Sequence, residues 1–213
     1  MYYLKEYKCE DQSVILDFIV KNPLGLVCGS FVTGKPVASH LPLMAETNSK
    51  GEIIYLTGHL MRGTDHFNAF TENKKVLVVF TGVNHYISAS NYEVPNRAST
   101  WNYETVHVSG EMAFVDIGAL LNILEKTQDY FENNDVSPAG FKNLPSGYIH
   151  KHARAIVGFR IKVADIKATF KLSQDKSDED IKGITDALNK LNTTDAMRMR
   201  ERIQSANKLK QDK

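Results

Sequence analysis

The apolar residues of this chain change their spacing repeatedly, and each change marks an element. After Asp11, which can cap a helix, Val14, Ile15, Phe18 and Ile19 recur at helical spacing. A helix is therefore predicted to about Lys21, stopped by Asn22-Pro23. The period then falls to two. Leu24 to Cys28 reads as a strand, Thr33-Gly34-Lys35-Pro36 as a tight turn and Pro36 to Ala45 as a second strand. Asn48-Ser49-Lys50-Gly51 turns into a third, Glu52 to His59. A short helix fits Thr64 to Thr71 with Thr64 as its cap. Lys75 to Phe80 is an apolar run of strand length, and His85-Tyr86-Ile87 reads as a further short strand.

The clearest alternation runs from Thr105 to Phe114. Val106, Val108, Gly110, Met112 and Phe114 form one face, and Thr105, His107, Ser109, Glu111 and Ala113 the other. Asp116 caps a helix carrying Leu120, Leu121, Leu124 and Phe131, and a loop with Pro138 and Gly140 leads to a short helix before Ala153. Ile156 to Val163 and Ile166 to Leu172 read as two strands. Ser177 and Asp180 resemble a capping pair ahead of Ile181, Ile184, Leu188 and Leu191. From Thr194 to Lys213 the pattern predicts a polar helix or a frayed tail in which Met197, Met199 and Ile203 make no clean stripe. Short strands in mostly hairpin order, with helices between and at the ends, predict an α+β fold: a closed or partly closed antiparallel barrel with peripheral helices.

Composition narrows the class. With 213 residues, 42% hydrophobic and 24% charged, the chain can build a sizeable core. A net charge of +1 gives no field that argues for nucleic acid or a membrane surface. The apolar runs Val14 to Val20 and Val76 to Phe80 are far shorter than a membrane span, and the first residues lack the pattern of a secretory signal. Cys9 and Cys28 have no metal-like spacing and predict no disulfide framework. The expected compartment is the cytoplasm.

Several motifs carry possible chemistry. Gly29-Ser30-Phe31-Val32-Thr33-Gly34-Lys35 matches seven positions of a phosphate-binding loop, but Pro36 stands where Ser or Thr should hold magnesium, and a strand follows instead of a helix. A hairpin turn is the better reading. The seven histidines, including His40, His59 and the His150/His152 pair, complete no metal set with carboxylates or cysteines. Arg62 lies between a strand and the helix start at Thr64. A phosphate there can take bonds from the guanidinium, from Thr57 or Thr64, and from backbone N–H groups; a solvated arginine has the same sequence signature. Trp101 and Asn102, just before the best strand, pair a flat aromatic with an amide, a combination suited equally to a planar ligand and to a core or interface. Lys171, Ser173 and Gln174 place a cation, a hydroxyl and an amide at a strand end, where they meet either a polar ligand or solvent. The Arg/Lys-rich tail (Arg198, Arg200, Arg202, Lys208, Lys210, Lys213) is partly balanced by Glu201 and Asp212 and reads as a solvated helix end.

Taken in order, a set of segments resembles the PaiB family of FMN-binding split-barrel proteins: Met1-Tyr2-Tyr3-Leu4-Lys5, His40-Leu41-Pro42-Leu43, Gly58-His59-Leu60-Met61-Arg62, Tyr86-Ile87-Ser88, Thr100-Trp101-Asn102-Tyr103 with Val106-His107-Val108-Ser109-Gly110, Ala155-Ile156-Val157-Gly158-Phe159, and Phe170-Lys171-Leu172-Ser173-Gln174. The match runs to about residue 191. The resemblance implies a split β-barrel like that of pyridoxamine-phosphate oxidase over residues 1–175 with a helical extension over 176–213, a homodimer, and FMN in a groove between subunits. It also implies that Arg62 contacts phosphate, and that His40, His59, Trp101, Asn102, Lys171, Ser173 and Gln174 lie near the ligand. The chain departs from the family pattern at Thr64, Asp65, Ala89, Asn91 and Ser99, several of them close to this site. Three functions follow: a flavin-linked negative regulator of transcription, an FMN-dependent oxidoreductase using a nicotinamide donor, or a dimeric binding module that has lost flavin. Direct nucleic-acid binding is the weakest form of the first, since no DNA-binding helix pair is recognisable.

Overall fold

The computed structural model of the chain describes residues 4–94, 96–132 and 137–211. Of the residues singled out above, Met1, Tyr2, Tyr3, Asp212 and Lys213 lie outside the described residues. In chain order the elements are β1 (Lys8–Cys9), α1 (Gln12–Lys21), β2 (Leu24–Ser30), β3 (Pro36–Pro42), β4 (Met44–Thr47), β5 (Ile53–Met61), α2 (Asp65–Glu72), β6 (Lys75–Ile87), β7 (Thr100–Phe114), α3 (Ile117–Glu132), α4 (Ser146–Ala153), β8 (Ile156–Lys171), α5 (Asp178–Leu191) and α6 (Thr194–Gln211). One eight-stranded sheet has the order β3-β2-β6-β7-β8-β5-β4, with β1 added on β8. The registered pairs are antiparallel, such as Leu26 opposite His40 and Gly58 opposite Phe159.

The chain divides into two compact units. The first comprises Gln12–Phe80 and His107–Ile166; the second comprises Met1–Asp11, Thr81–Val106 and Lys167–Lys213.

In the first unit the apolar period translates directly into burial. Ile15, Phe18 and Ile19 of α1 are buried, whereas Val14 is exposed. Val108 and Met112 of β7 are buried and Glu111 is exposed, as the alternation requires. The segment Phe31 to Lys35 is a hairpin turn: Phe31 N–H donates to Lys35 O at 3.0 Å, and Gly34 takes a φ of 87° that disfavours a side chain. The phosphate-loop look-alike is therefore a turn between β2 and β3. The second strand expected from Pro36 to Ala45 is two strands broken at Leu43, which is 1% exposed. Its side chain lies against Gly58, where a Cβ would stand 2.8 Å from Leu43 Cδ2 and 2.9 Å from Phe159 Cζ. The absence of a side chain at Gly58 is what admits Leu43 to the core. Asp116 caps α3 as expected, its carboxylate accepting from Ala119 N–H at 2.8 Å. The buried face of α3 is nevertheless Leu120 and Ile123, and Phe131 is exposed.

In the second unit the elements are longer or better packed than the pattern indicates. Two strands that reach it begin in the first unit: Lys75 to Phe80 and His85 to Ile87 belong to one strand, β6, and Ile156 to Val163 and Ile166 to Lys171 to another, β8, with Leu172 just past its end. Paired neighbours carry these strands through stretches without clean alternation, because ladder bonding is indifferent to side-chain type. Strand β7 begins at Thr100, so Trp101 and Asn102 stand within it. Ser177 caps α5, its hydroxyl accepting from Asp180 N–H. The tail is a full helix, α6. It does have a clean stripe, Ala196, Met199 and Ile203, all 0% exposed; alanine in place of Met197 completes the helical spacing.

Candidate functional site

The first unit positions Arg62, Thr57, Thr64, His40 and His59. Strand β5 runs into a turn at Gly63, and the Arg62 N–H donates to Ala155 O at 2.9 Å. The Arg62 Nε donates to Ile156 O at 3.0 Å, and the guanidinium lies 5.8 Å from the Phe67 ring centre. These contacts fix the exposed side chain by its Nε edge and leave its Nη groups as donors for an anion. Thr64 is committed locally: its hydroxyl donates to Met61 O at 2.9 Å and accepts from Phe67 N–H at 3.4 Å. Asp65 takes the His66 N–H at 2.8 Å, which places a carboxylate at the start of α2. Two backbone donors there, the His66 and Phe67 N–H groups, are already used, which leaves the guanidinium as the group best suited to phosphate. Thr57 is buried, and its hydroxyl donates to Met44 O across the β4–β5 pair. His40 is exposed on β3, while His59 on β5 is half-buried, and burial lowers its pKa.

The second unit holds Trp101, Asn102, Lys171, Ser173 and Gln174. Trp101 is 50% exposed; its Nε1 donates to Asn84 Oδ1 at 3.2 Å, and its ring lies 6.0 Å from that of Tyr86, itself 51% exposed. The indole is thus held in one orientation with much of its surface open. Asn102 is fully buried, and its Nδ2 donates to Ser173 Oγ at 2.8 Å. Ser173 adopts a left-handed φ of 62° to make that bond. Lys171 Nζ bonds Thr100 Oγ1 and lies 5.8 Å from the Tyr7 ring centre. Burial lowers the Lys171 pKa against the opposing pull of Asp175. Gln174 folds back on its own turn, accepting from Leu172 N–H at 2.7 Å and donating to Phe170 O at 2.5 Å. Its amide is satisfied by backbone.

Asn102, Lys171 and Ser173 line a cavity of about 230 Å³ together with Tyr7, Tyr92 and Lys176. The tyrosines and Lys176 were not evident as site residues in the sequence, because they come from three separated segments. One further group was legible. Extending the β7 alternation back from Val106 puts Asn102 and Glu104 on the buried face, and Glu104 is 3% exposed with Arg202 donating to both carboxylate oxygens at 2.7–3.1 Å.

Comparison with known proteins agrees with this architecture. Residues 1–165 match the family described as a putative FMN-binding domain. The chain is 33% identical over 201 residues to the protease synthase and sporulation protein PAI 2 of Bacillus subtilis, covering 94% of this chain and 95% of that protein. Among solved structures, the FAD and heme binding protein of Mycobacterium smegmatis has a TM-score of 0.61 at 17% identity, over 83% of this chain and 79% of that one. The flavocytochrome Anf3 of Azotobacter vinelandii has a TM-score of 0.59 at 15% identity, over 77% and 69%. The sheet is antiparallel, as the strand pattern predicts, and the fold is the split barrel that the family resemblance implies. With most of its length matched by the family model and nearly all of it by the B. subtilis relative, the chain belongs to the putative FMN-binding domain family, as a PaiB-type protein.

Proposed function

We propose that the protein binds FMN and acts as a flavin-linked regulator of the PaiB type, a homodimer in the cytoplasm. The family supports the cofactor, and the name of the B. subtilis relative supports a regulatory role. The observation that carries the flavin reading is Arg62, anchored through Nε with its Nη groups outward-bonding donors. Arg62, in the first unit, would hold the phosphate; taken by itself, the indole of Trp101 in the second unit is oriented by Asn84 and has an exposed face. When bound, FMN supplies a ring that accepts or releases a hydride. What this chain's residues contribute is binding and orientation. His59, kept largely neutral by burial, adds no charge near neutral pH.

The test is the absorption spectrum of the purified protein with an FMN titration. Uptake is expected, and Arg62→Ala weakens FMN far more than riboflavin, which lacks the phosphate. Equal loss for both ligands refutes the phosphate role. A protein that takes up no FMN is instead a flavin-free binding module, and anaerobic bleaching of bound flavin by NADH identifies an oxidoreductase.

A further inference from the structure

The small cavity of the second unit has a chemistry of its own. Its polar lining includes Tyr92, Asn102, Lys171, Ser173, Asp175 and Lys176, and it measures about 230 Å³. A dry cavity of ~150 Å³ holds benzene, so this one takes a molecule of about nine non-hydrogen atoms. Two buried polar atoms on its wall, Asn102 Oδ1 and Tyr92 Oη, have no hydrogen-bond partner among the described residues, although Asn102 is 0% and Tyr92 6% exposed. Buried polar groups are normally paired, and each one left unpaired costs about 1–3 kcal/mol. Ser173 is also held at a positive φ, a strain that persists where a side chain must be aimed.

The donors and acceptors on the wall identify the ligand class. Asp175 pairs with Lys176 at 2.6 Å and also attracts Lys171, whose Nζ bonds the Thr100 hydroxyl and lies over the Tyr7 ring. Two lysines thus share one carboxylate on this wall, which leaves one positive charge over. Tyr92 Oη can donate, and Ser173 Oγ, which accepts from Asn102, keeps its own proton to donate. Against these donors stands one unsatisfied acceptor, Asn102 Oδ1. An oxyanion with an adjacent N–H or O–H group meets both requirements.

We propose that this cavity is a binding site for a small α-hydroxy or α-amino carboxylate, its carboxylate on Lys171 and Tyr92 and its hydroxyl or amine donating to Asn102. The site is separate from flavin binding and goes beyond the reading given above.

The experiment is a thermal-shift and calorimetric titration of the full chain with L-lactate, L-serine, propionate and inorganic phosphate. L-Lactate or L-serine is expected to bind one per chain, and propionate, which has the carboxylate without the donor, at least fivefold more weakly. Lys171→Met lowers the affinity at least tenfold. Tyr92→Phe lowers it about fivefold, the worth of one hydrogen bond, without lowering the melting temperature of the ligand-free protein, because it removes a buried hydroxyl that has no partner. FMN affinity is unchanged in Tyr92→Phe, a residue outside the set that the family resemblance places near the flavin. Absence of saturable binding by L-lactate and L-serine overturns the proposal and identifies a hydrated cavity. Binding of phosphate alone overturns the carboxylate assignment. A loss of FMN affinity in Tyr92→Phe overturns the separateness of the site, whereas failure of the wild-type protein to bind FMN sinks only the flavin reading.

Discussion

The two units bury different kinds of residue. Among the described residues, the buried polar side chains of the second unit are Asn102, Glu104, Thr105, Thr169, Ser173, Asp180 and Thr185, and the first unit has Thr57 alone. The first unit is organised by apolar surface leaving water, which is non-directional and follows sequence periodicity. The second is organised by directional bonds between partners distant in sequence. Asp180 of α5 accepts from Glu93 N–H at 2.9 Å and pairs with Arg97, and Glu104 of β7 is held by Arg202 of α6. Burying such groups costs free energy unless every partner is in place. The first unit therefore tolerates conservative change, and the second depends on individual atoms.

Substitutions in each unit put this contrast to the test. The largest effect is expected at Leu43, 1% exposed between the β3 and β4 strands: Leu43→Ala costs about 3 kcal/mol by transfer and cavity formation, read as a lowered urea midpoint. A midpoint within error of the wild type would show that the strand break is not a packing feature. Next comes Arg202→Ala, which strands the buried Glu104 carboxylate. Arg202 is itself partly exposed, so water offsets part of the loss and about 2 kcal/mol is expected, less than for a fully buried pair. Glu104→Gln should cost less, because the released guanidinium can turn to solvent; the reverse ranking contradicts the buried-carboxylate argument.

Gly183 gives a smaller effect with an informative sign. Alanine in a helix interior ordinarily gains up to about 1 kcal/mol over glycine. At Gly183 of α5 a Cβ would stand 2.0 Å from the Asn91 carbonyl oxygen, a backbone atom that cannot swing away. Gly183→Ala should thus lose about 1 kcal/mol in net terms, and a stabilised variant would show that α5 is free to move off the Asn91 turn. The smallest effect is that of His59. Its pKa is lowered from 6.5 by burial, so the unfolded chain binds the proton more readily than the folded one. Stability accordingly falls as pH drops through about 6.5 and levels off below the folded pKa. His59→Gln should flatten that part of the stability profile between pH 7 and 5, and an unaltered slope would assign the titration elsewhere.

Much of the fold was legible in the pattern of residues. The α1 face, the turn at Gly34, the Thr64, Asp116 and Ser177 caps and the alternation from Val106 to Met112 all rest on local rules, and the structure has each of them. The continuity of β6 and β8 was not legible, because neighbouring strands rather than their own side chains sustain them. The candidate site was legible only in part. Arg62 and Trp101 stand out by residue type and position. The Asn102–Ser173 bond and the Tyr92 wall join residues from β6-to-β7, β7 and the end of β8, and no local spacing encodes such a meeting.

The sequence by itself determined where the chain turns from helix to strand, which face of most elements is apolar, and through its motifs the family to which it belongs. It did so because those properties depend on neighbours within a few residues. Only the tertiary structure decided that the basic tail is a helix docked by Ala196, Met199 and Ile203, that Thr64 and Asp65 take two of the donors at the start of α2, and that Asn102 and Tyr92 face a small cavity with unpaired polar atoms. Those outcomes are settled by which distant groups desolvate one another, and desolvation is a property of the packed molecule.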